Sequence, residues 1–183
     1  AQKTPYLSAC GDWSDEFFDE LANELENVRA AWHWAAAQAD LEILALANDG
    51  LGKFYQRQSW LTEGHEAFGL AVARLDELAA APGAERYLPV LAKLLGRRGM
   101  FSAYLGQHEL ARQQLHRGLA LLRAHGSPAE LGQALMKAGI VIREFGDYTE
   151  AQALLEETLA VARANGDDAL VTHALSYFGY LLG

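Results

Sequence analysis

The chain has 183 residues, half of them hydrophobic (51%), with 15 basic against 24 acidic side chains and a formal net charge of −9. That balance opposes wrapping a nucleic-acid backbone, which needs a surplus of Lys and Arg to neutralise phosphates. A single Cys excludes an internal disulfide framework and a multi-thiolate metal site. No apolar run approaches the roughly 20 residues that span a bilayer, and no signal-peptide pattern opens the chain, so the expectation is a soluble, cytoplasmic protein.

In chain order, the apolar periodicity predicts helices over 14–38, 40–58, 60–79, 86–105, 107–125, 128–145, 147–165 and 168–182. In the leading helix Leu21, Leu25, Val28 and Trp32 follow a 4-3-4 spacing that puts Trp32 in the core, while Trp34 lies on a different arc. Leu135, Ala138, Ile142 and Phe145 form one later stripe, and Ala151, Leu154, Leu155, Leu159 and Ala162 the next. Ser127-Pro128 with Glu130 reads as an N-cap, a first-turn proline and an acidic N3 residue, and Asp147 with Glu150 as a capping box. No segment carries the alternation and turn chemistry of a β-hairpin. The fold class is all-α.

The helices repeat. Gly99, Gly139 and Gly179 are spaced by 40, as are Gly106 and Gly146, Ala111 and Ala151, Leu115 and Leu155, Leu119 and Leu159, and Gly126 and Gly166. A more diverged copy is anchored by Gly52, 47 before Gly99, the excess fitting a loop insertion at Ala79–Glu85. A period of this kind means stacked hairpins that share one core. The reading is an N-terminal segment and leading helix over 1–38, then repeats over about 40–79, 86–125 and 128–165 and a half-repeat over 168–183.

Gly139, Ile142, Gly146, Tyr148, Ala151 and Leu155 stand at the spacings of the tetratricopeptide (TPR) pattern; Gly99, Gly106, Ala111 and Leu115 match it in the preceding copy. Ser102, His108 and Ser59 depart from it. The resemblance implies a right-handed TPR-like solenoid with longer hairpins than usual. Upstream, Glu24, Asn27, Arg29, Ala30, Ala31, Trp34 and Ala35, followed by Gln58–Glu66 (QSWLTEGHE), resemble the start of the C-terminal helical arm of bacterial STAND (NB-ARC-like) ATP-binding regulators, many of which carry LuxR-type or SARP-type DNA-binding domains. His65 stands where that family more often has Arg. The resemblance implies a non-catalytic protein-interaction and regulatory arm of a larger transcriptional or signalling regulator, of which this chain is a piece. It has no G-x-x-x-x-G-K-[ST] phosphate loop and no recognisable DNA-reading helix. A stand-alone TPR adaptor and a small-molecule sensor, with Met100, Tyr104, Met136 and Tyr180 around an enclosed pocket, are the alternatives.

In TPR proteins the first helix of each hairpin lines a concave groove. Counting from the helix glycines places Lys53, Gln56 and Arg57 there, then Lys93, Met100 and Tyr104, then Gln133, Met136, Ile140 and Arg143, and finally His173, Ser176 and Tyr180. Its cations suit a negatively charged or mixed peptide. Residues 12–26 hold seven acids and no base, and residues 85–125 seven bases against Glu85 and Glu109, a segregation that can steer a contact or simply coat solvated helix faces. Arg97, Arg98, Arg112, Arg117 and Arg123 lack the aromatic interleaving of a nucleic-acid surface. Glu63-Gly64-His65-Glu66 is not a His-Glu-x-x-His zinc helix, and Arg112 stands between His108 and His116 on one face. Cys10 has no acid–base partner nearby. No metal, cofactor or catalytic residue is expected.

Overall fold

The computed structural model describes residues 15–182, without the side chains of Asp15 and of residues 180–182. Among the described residues there are helices α1 (Asp15–Asn23), α2 (Leu25–Gln38), α3 (Leu41–Arg57), α4 (Leu61–Ala79), α5 (Leu88–Tyr104), α6 (His108–His125), α7 (Pro128–Glu144), α8 (Tyr148–Ala164) and α9 (Asp168–Leu182), a short 3-10 turn at Glu85–Tyr87 and no strand. The expected all-α repeat is the observed architecture. The single leading helix of the sequence reading is broken at Glu24 (φ −102°, ψ 16°) into α1 and α2. Cys10, Trp13 and Asp12 lie outside the described residues.

Side chains fix where the helices start. Asp40, Ser127, Asp147 and Asp167 each accept a hydrogen bond from the backbone N–H three residues on, at 3.1, 3.3, 3.1 and 2.9 Å, satisfying donors that the first turn leaves open. The Ser127 box is complete, because Glu130 also takes the Ser127 N–H at 2.9 Å. At Asp147 only half of the box forms; the Glu150 side chain is spent on the neighbouring helix instead. Between first and second helices the chain reverses through a left-handed residue. Gly106 (φ 74°) and Gly146 (φ 82°) do this in the later hairpins, whereas Ser59 (φ 59°) does it in the first.

The helices form two layers. The first helices of the hairpins, α3, α5, α7 and α9, adjoin one another on one side, and α2, α4, α6 and α8 back them on the other. Within the hairpins α5–α6 and α7–α8 the packing is tight, because Gly99 and Gly139 let the second helix come close: a Cβ there would sit 3.0 and 3.2 Å from Cγ of Leu115 and Leu155. The first copy departs from this scheme. α3 and α4 touch only lightly, and α4 packs mainly on α5, with Phe101 over Gly64. Gly52, the counterpart of Gly99, accommodates the side chain of Arg97 from α5. A glycine at the same register therefore serves two different neighbours.

The core runs without interruption from Phe18 through Trp32, Leu44, Phe54, Phe68 and Leu91 to Phe101, and continues in the later repeats through Leu135, Ile142, Leu155 and Leu170. Trp32 is buried as expected, tilted against Phe68 at 4.8 Å, with its indole N–H donating to the Ala67 carbonyl at 2.9 Å. Trp34 is exposed.

Two substitutions test this account by urea denaturation. Ser59→Gly removes the cost of a left-handed L-residue and is expected to raise stability by about 1 kcal/mol. Gly118→Ala improves helix propensity, yet its Cβ would lie 2.9 Å from the Ala92 carbonyl oxygen; a loss of about 1–3 kcal/mol is expected from the overpacking. A stabilising Gly118→Ala would mean that α5 and α6 approach less closely than described.

Candidate functional site: the concave face and its charge cluster

The layer of first helices, the face expected to form the groove, carries an ionic cluster that joins three consecutive helices. Asp49 on α3 pairs with Arg97 on α5 and lies 3.4 Å from Lys137 on α7. Arg97 is almost wholly buried (side chain 5% exposed), laid across Gly52, while Asp49 and Lys137 keep about half their side-chain surface (52% and 44%). Burial alone would raise the Asp49 carboxyl, but Lys137 and Arg97 outweigh it and hold the group below the ordinary carboxylate range. Lys137 is lowered too. Burial pushes its ammonium down, Arg97 and Lys53 push it further, and Asp49 only partly offsets them. Arg97 and Lys137 thus share one carboxylate, with Lys53 near enough to act on Lys137, so within this cluster the two cations outnumber Asp49.

The sequence reading placed Lys53 here and missed Asp49, Arg97 and Lys137. Asp49 lies one turn before Lys53, Arg97 one turn after Lys93 and Lys137 one turn after Gln133, on the same helix faces. The available signal was the 40-residue register itself, which aligns Arg97, Lys137 and Tyr177.

The other expected groove residues are dispersed. Lys93 is tied to Glu130 at 2.5 Å, and that contact, together with Ser127, keeps Glu130 low against the upward push of burial. Gln56 donates to the Tyr104 hydroxyl at 2.9 Å, bridging α3 and α5 on the exposed rim. Arg57 turns away to lie over the Phe18 ring at 4.8 Å. Met136 is core (8% exposed), and Met100 and Ile140 are packed against the core from its edge. Arg143 pairs with Glu144 at 2.6 Å. Gln133 is half-buried, and His173 and Ser176 are exposed on α9. The side chain of Tyr180 lies outside those described. A cleft of about 290 Å³ lies elsewhere, between the end of α6, the start of α7 and the end of α8, lined by Leu122, Pro128, Leu131 and Val161 among others. It includes none of the four residues proposed for a sensor pocket.

The basic run over 85–125 is explained by the opposite layer. Arg112 meets Asp147 (3.2 Å) and Glu150, Arg117 meets Asp76, and Arg123 meets Glu157 at 2.6 Å, each from α6 to a neighbouring second helix. His116 sits 2.5 Å from Glu150; burial and the cations Arg112 and Arg123 push its imidazole down, so at neutral pH the contact is a hydrogen bond. The pairs recur in register. Asp76–Arg117 and Arg123–Glu157 occupy the same two positions of successive repeats with the charges exchanged. Arg29–Glu63, a double hydrogen bond at 2.7 Å, occupies the positions of His116–Glu150.

That first pair also joins the two upstream motifs, since Arg29 belongs to the ELENVRAAWHWA helix and Glu63 to QSWLTEGHE, and the guanidinium stands 5.5 Å from the Trp60 ring centroid. Glu63 adds to the effect of burial on the neighbouring Tyr55 hydroxyl, pushed up to about 12. Of the histidines, His108 stacks on Phe145 at 4.4 Å, and His65 is pushed down first by burial and then by Arg98. Among the described residues no group of three or more His, Cys, Asp or Glu is placed to hold a metal ion, and no helix is long and apolar enough to cross a membrane.

With this geometry in place, comparison with known proteins adds one finding. The family model described as anaphase-promoting complex subunit 5 matches residues 99–183, from the middle of α5 onward. No curated protein and no solved structure matches the chain. The matched part runs from the second half of α5 through α6, the α7–α8 hairpin and α9, and fold and family match agree that this chain is a helical-repeat protein. Such repeats generally mediate contacts between proteins.

Because Asp49 is held low, its contribution to stability is full above the ordinary carboxylate range and is lost as pH falls through its depressed folded value. Asp49→Asn is therefore expected to lower the urea midpoint at pH 7 and to converge on the parent protein as pH falls through the depressed folded value. A gap that persists in acid would assign the loss to packing.

Proposed function

We propose that the chain is a non-catalytic protein-interaction module whose concave face receives an acidic segment of a partner protein. The observation that carries this reading is the cluster in which Arg97 and Lys137 share the single carboxylate of Asp49, while burial, Arg97 and Lys53 push the Lys137 ammonium down. A carboxylate delivered beside Lys137 and Lys53 relieves that cost, and an incoming cation deepens it. Arg97 is too buried to meet a ligand; it anchors Asp49, which serves as the internal counter-ion until a partner's carboxylate arrives. On the rim, the hydrogen-bonded Gln56 and Tyr104 offer amide and hydroxyl groups to a peptide backbone.

In its cellular setting the module is read as the regulatory arm of a larger bacterial STAND-type signalling or transcriptional regulator. The Arg29–Glu63 link between the two motifs that carry that resemblance supports this. A stand-alone adaptor with the same groove is the competing reading. An antibody raised against the chain separates them in native cells: a band several-fold larger than the chain supports the regulator, and a band at the size of the chain overturns it.

The groove itself is tested with a fluorescein-labelled Asp/Glu-rich peptide and its Lys-rich counterpart. The acidic peptide is expected to bind with an affinity that falls as salt is added. Lys137→Met and Lys53→Met should each weaken it by about tenfold, and Asp49→Asn should tighten it. Equal binding of the Lys-rich peptide, or no response to Lys137→Met, would move the site off this cluster.

A further inference from the structure

The last helix, α9, repeats the first helix of a hairpin, and its register shows which of its surfaces stands open. Leu95, Leu135 and Leu175 occupy one repeat position; the first two are 2% and 0% exposed and the third 49%. Gly99, Gly139 and Gly179 occupy another. In the first two cases a Cβ would press on Leu115 or Leu155 of the following helix, and at Gly179 no atom of the described residues lies within 4 Å. On the outer layer Arg163 stands, exposed, at the place where Arg123 grips Glu157.

We infer that this face of α9 is a docking site for an amphipathic partner helix of the α6/α8 kind, lying antiparallel to α9. The occupant's chemistry is set by the two hairpins that already use the same positions. A small residue passes over Gly179, as Ala111 and Ala151 do near Gly99 and Gly139, with their carbonyls 3.3 and 3.4 Å from the built Cβ. A leucine four residues later fills the space against the glycine, as Leu115 and Leu155 do. An acid two residues beyond that, in the place of Glu157, meets Arg163. The signature is Ala-x-x-x-Leu-x-Glu, which α8 itself carries from Ala151 to Glu157. Small-to-large complementarity fixes the depth of approach, and the acid fixes the register. This site is on the opposite edge of α9 from the groove contacts and does not depend on the groove being used.

The test appends a second copy of Glu144–Gly166 directly after Gly183 in the full chain, which continues the 40-residue register. The extension is expected to raise the melting temperature by about 5–10 °C, the shift of a newly buried helix face in a chain of this size. Gly179→Leu should leave the unextended chain's melting temperature unchanged or raised, because its Cβ is in open space, and should abolish most of the gain in the extended chain. The same segment as a fluorescein-labelled free peptide should bind the unextended chain and not its Gly179→Leu variant. An extension without effect, or a gain indifferent to Gly179→Leu, overturns the assignment. So does light scattering that finds the unextended chain dimeric and Gly179→Leu monomeric, because the occupant would then be a second copy.

Discussion

The two later hairpins are held by the close approach of their two helices, made possible where the first helix offers a glycine and the second an alanine and a leucine one turn apart. At Gly99 and Gly139 a Cβ would press on the facing leucine at 3.0 and 3.2 Å, and that leucine is nearly sealed from water. Burying one such side chain is worth about 1.5–3 kcal/mol. Two tight hairpins set the spacing on which both layers rest: the first helices side by side lining the concave face, the second helices behind them tied by ion pairs. The first hairpin lacks the closure, since Gly52 is taken by Arg97. That exception creates the ionic cluster.

Ion pairs on the outer layer add orientation more than stability, since exposed pairs are individually worth little. Their alternation is what matters. The same two positions carry acid–base in one step of the stack and base–acid in the next, so a helix placed one repeat out of turn would set like charges against each other. Charge that is spread unevenly along the sequence is thereby neutralised in space, and the basic run of α6 is used up on its neighbours. The cations of the concave side are differently placed. There Arg97 and Lys137 share the one carboxylate of Asp49, in a chain whose formal net charge is −9.

Much of this was legible in the residues. The 40-residue recurrence of glycines, alanines and leucines specified paired helices, and Ser127, Pro128, Glu130, Asp147 and Gly146 marked their ends, because capping and turn chemistry are local and need no neighbours. Trp32 was correctly assigned to the core by its 4-3-4 spacing. The break at Glu24 escaped because both sides of it are helical, and its hydrogen bonds to Glu20 and Val28 continue across. Of the residues expected in the groove, Met136 and Met100 pack inward, Lys93 and Arg143 meet carboxylates and Arg57 meets an aromatic ring, contacts that no local spacing reports.

The sequence by itself determined the helices, whose stripes and caps are set within one or two turns of chain, and the pairing period and small–large grammar of the hairpins, which recur every 40 residues. The tertiary structure alone decided which charges meet. Arg97 and Asp49 are 48 residues apart and Lys137 and Asp49 are 88 apart, and no local pattern reports a contact made across three helices. Whether a cation is neutralised or left to attract a partner depends on that distance, which only folding sets.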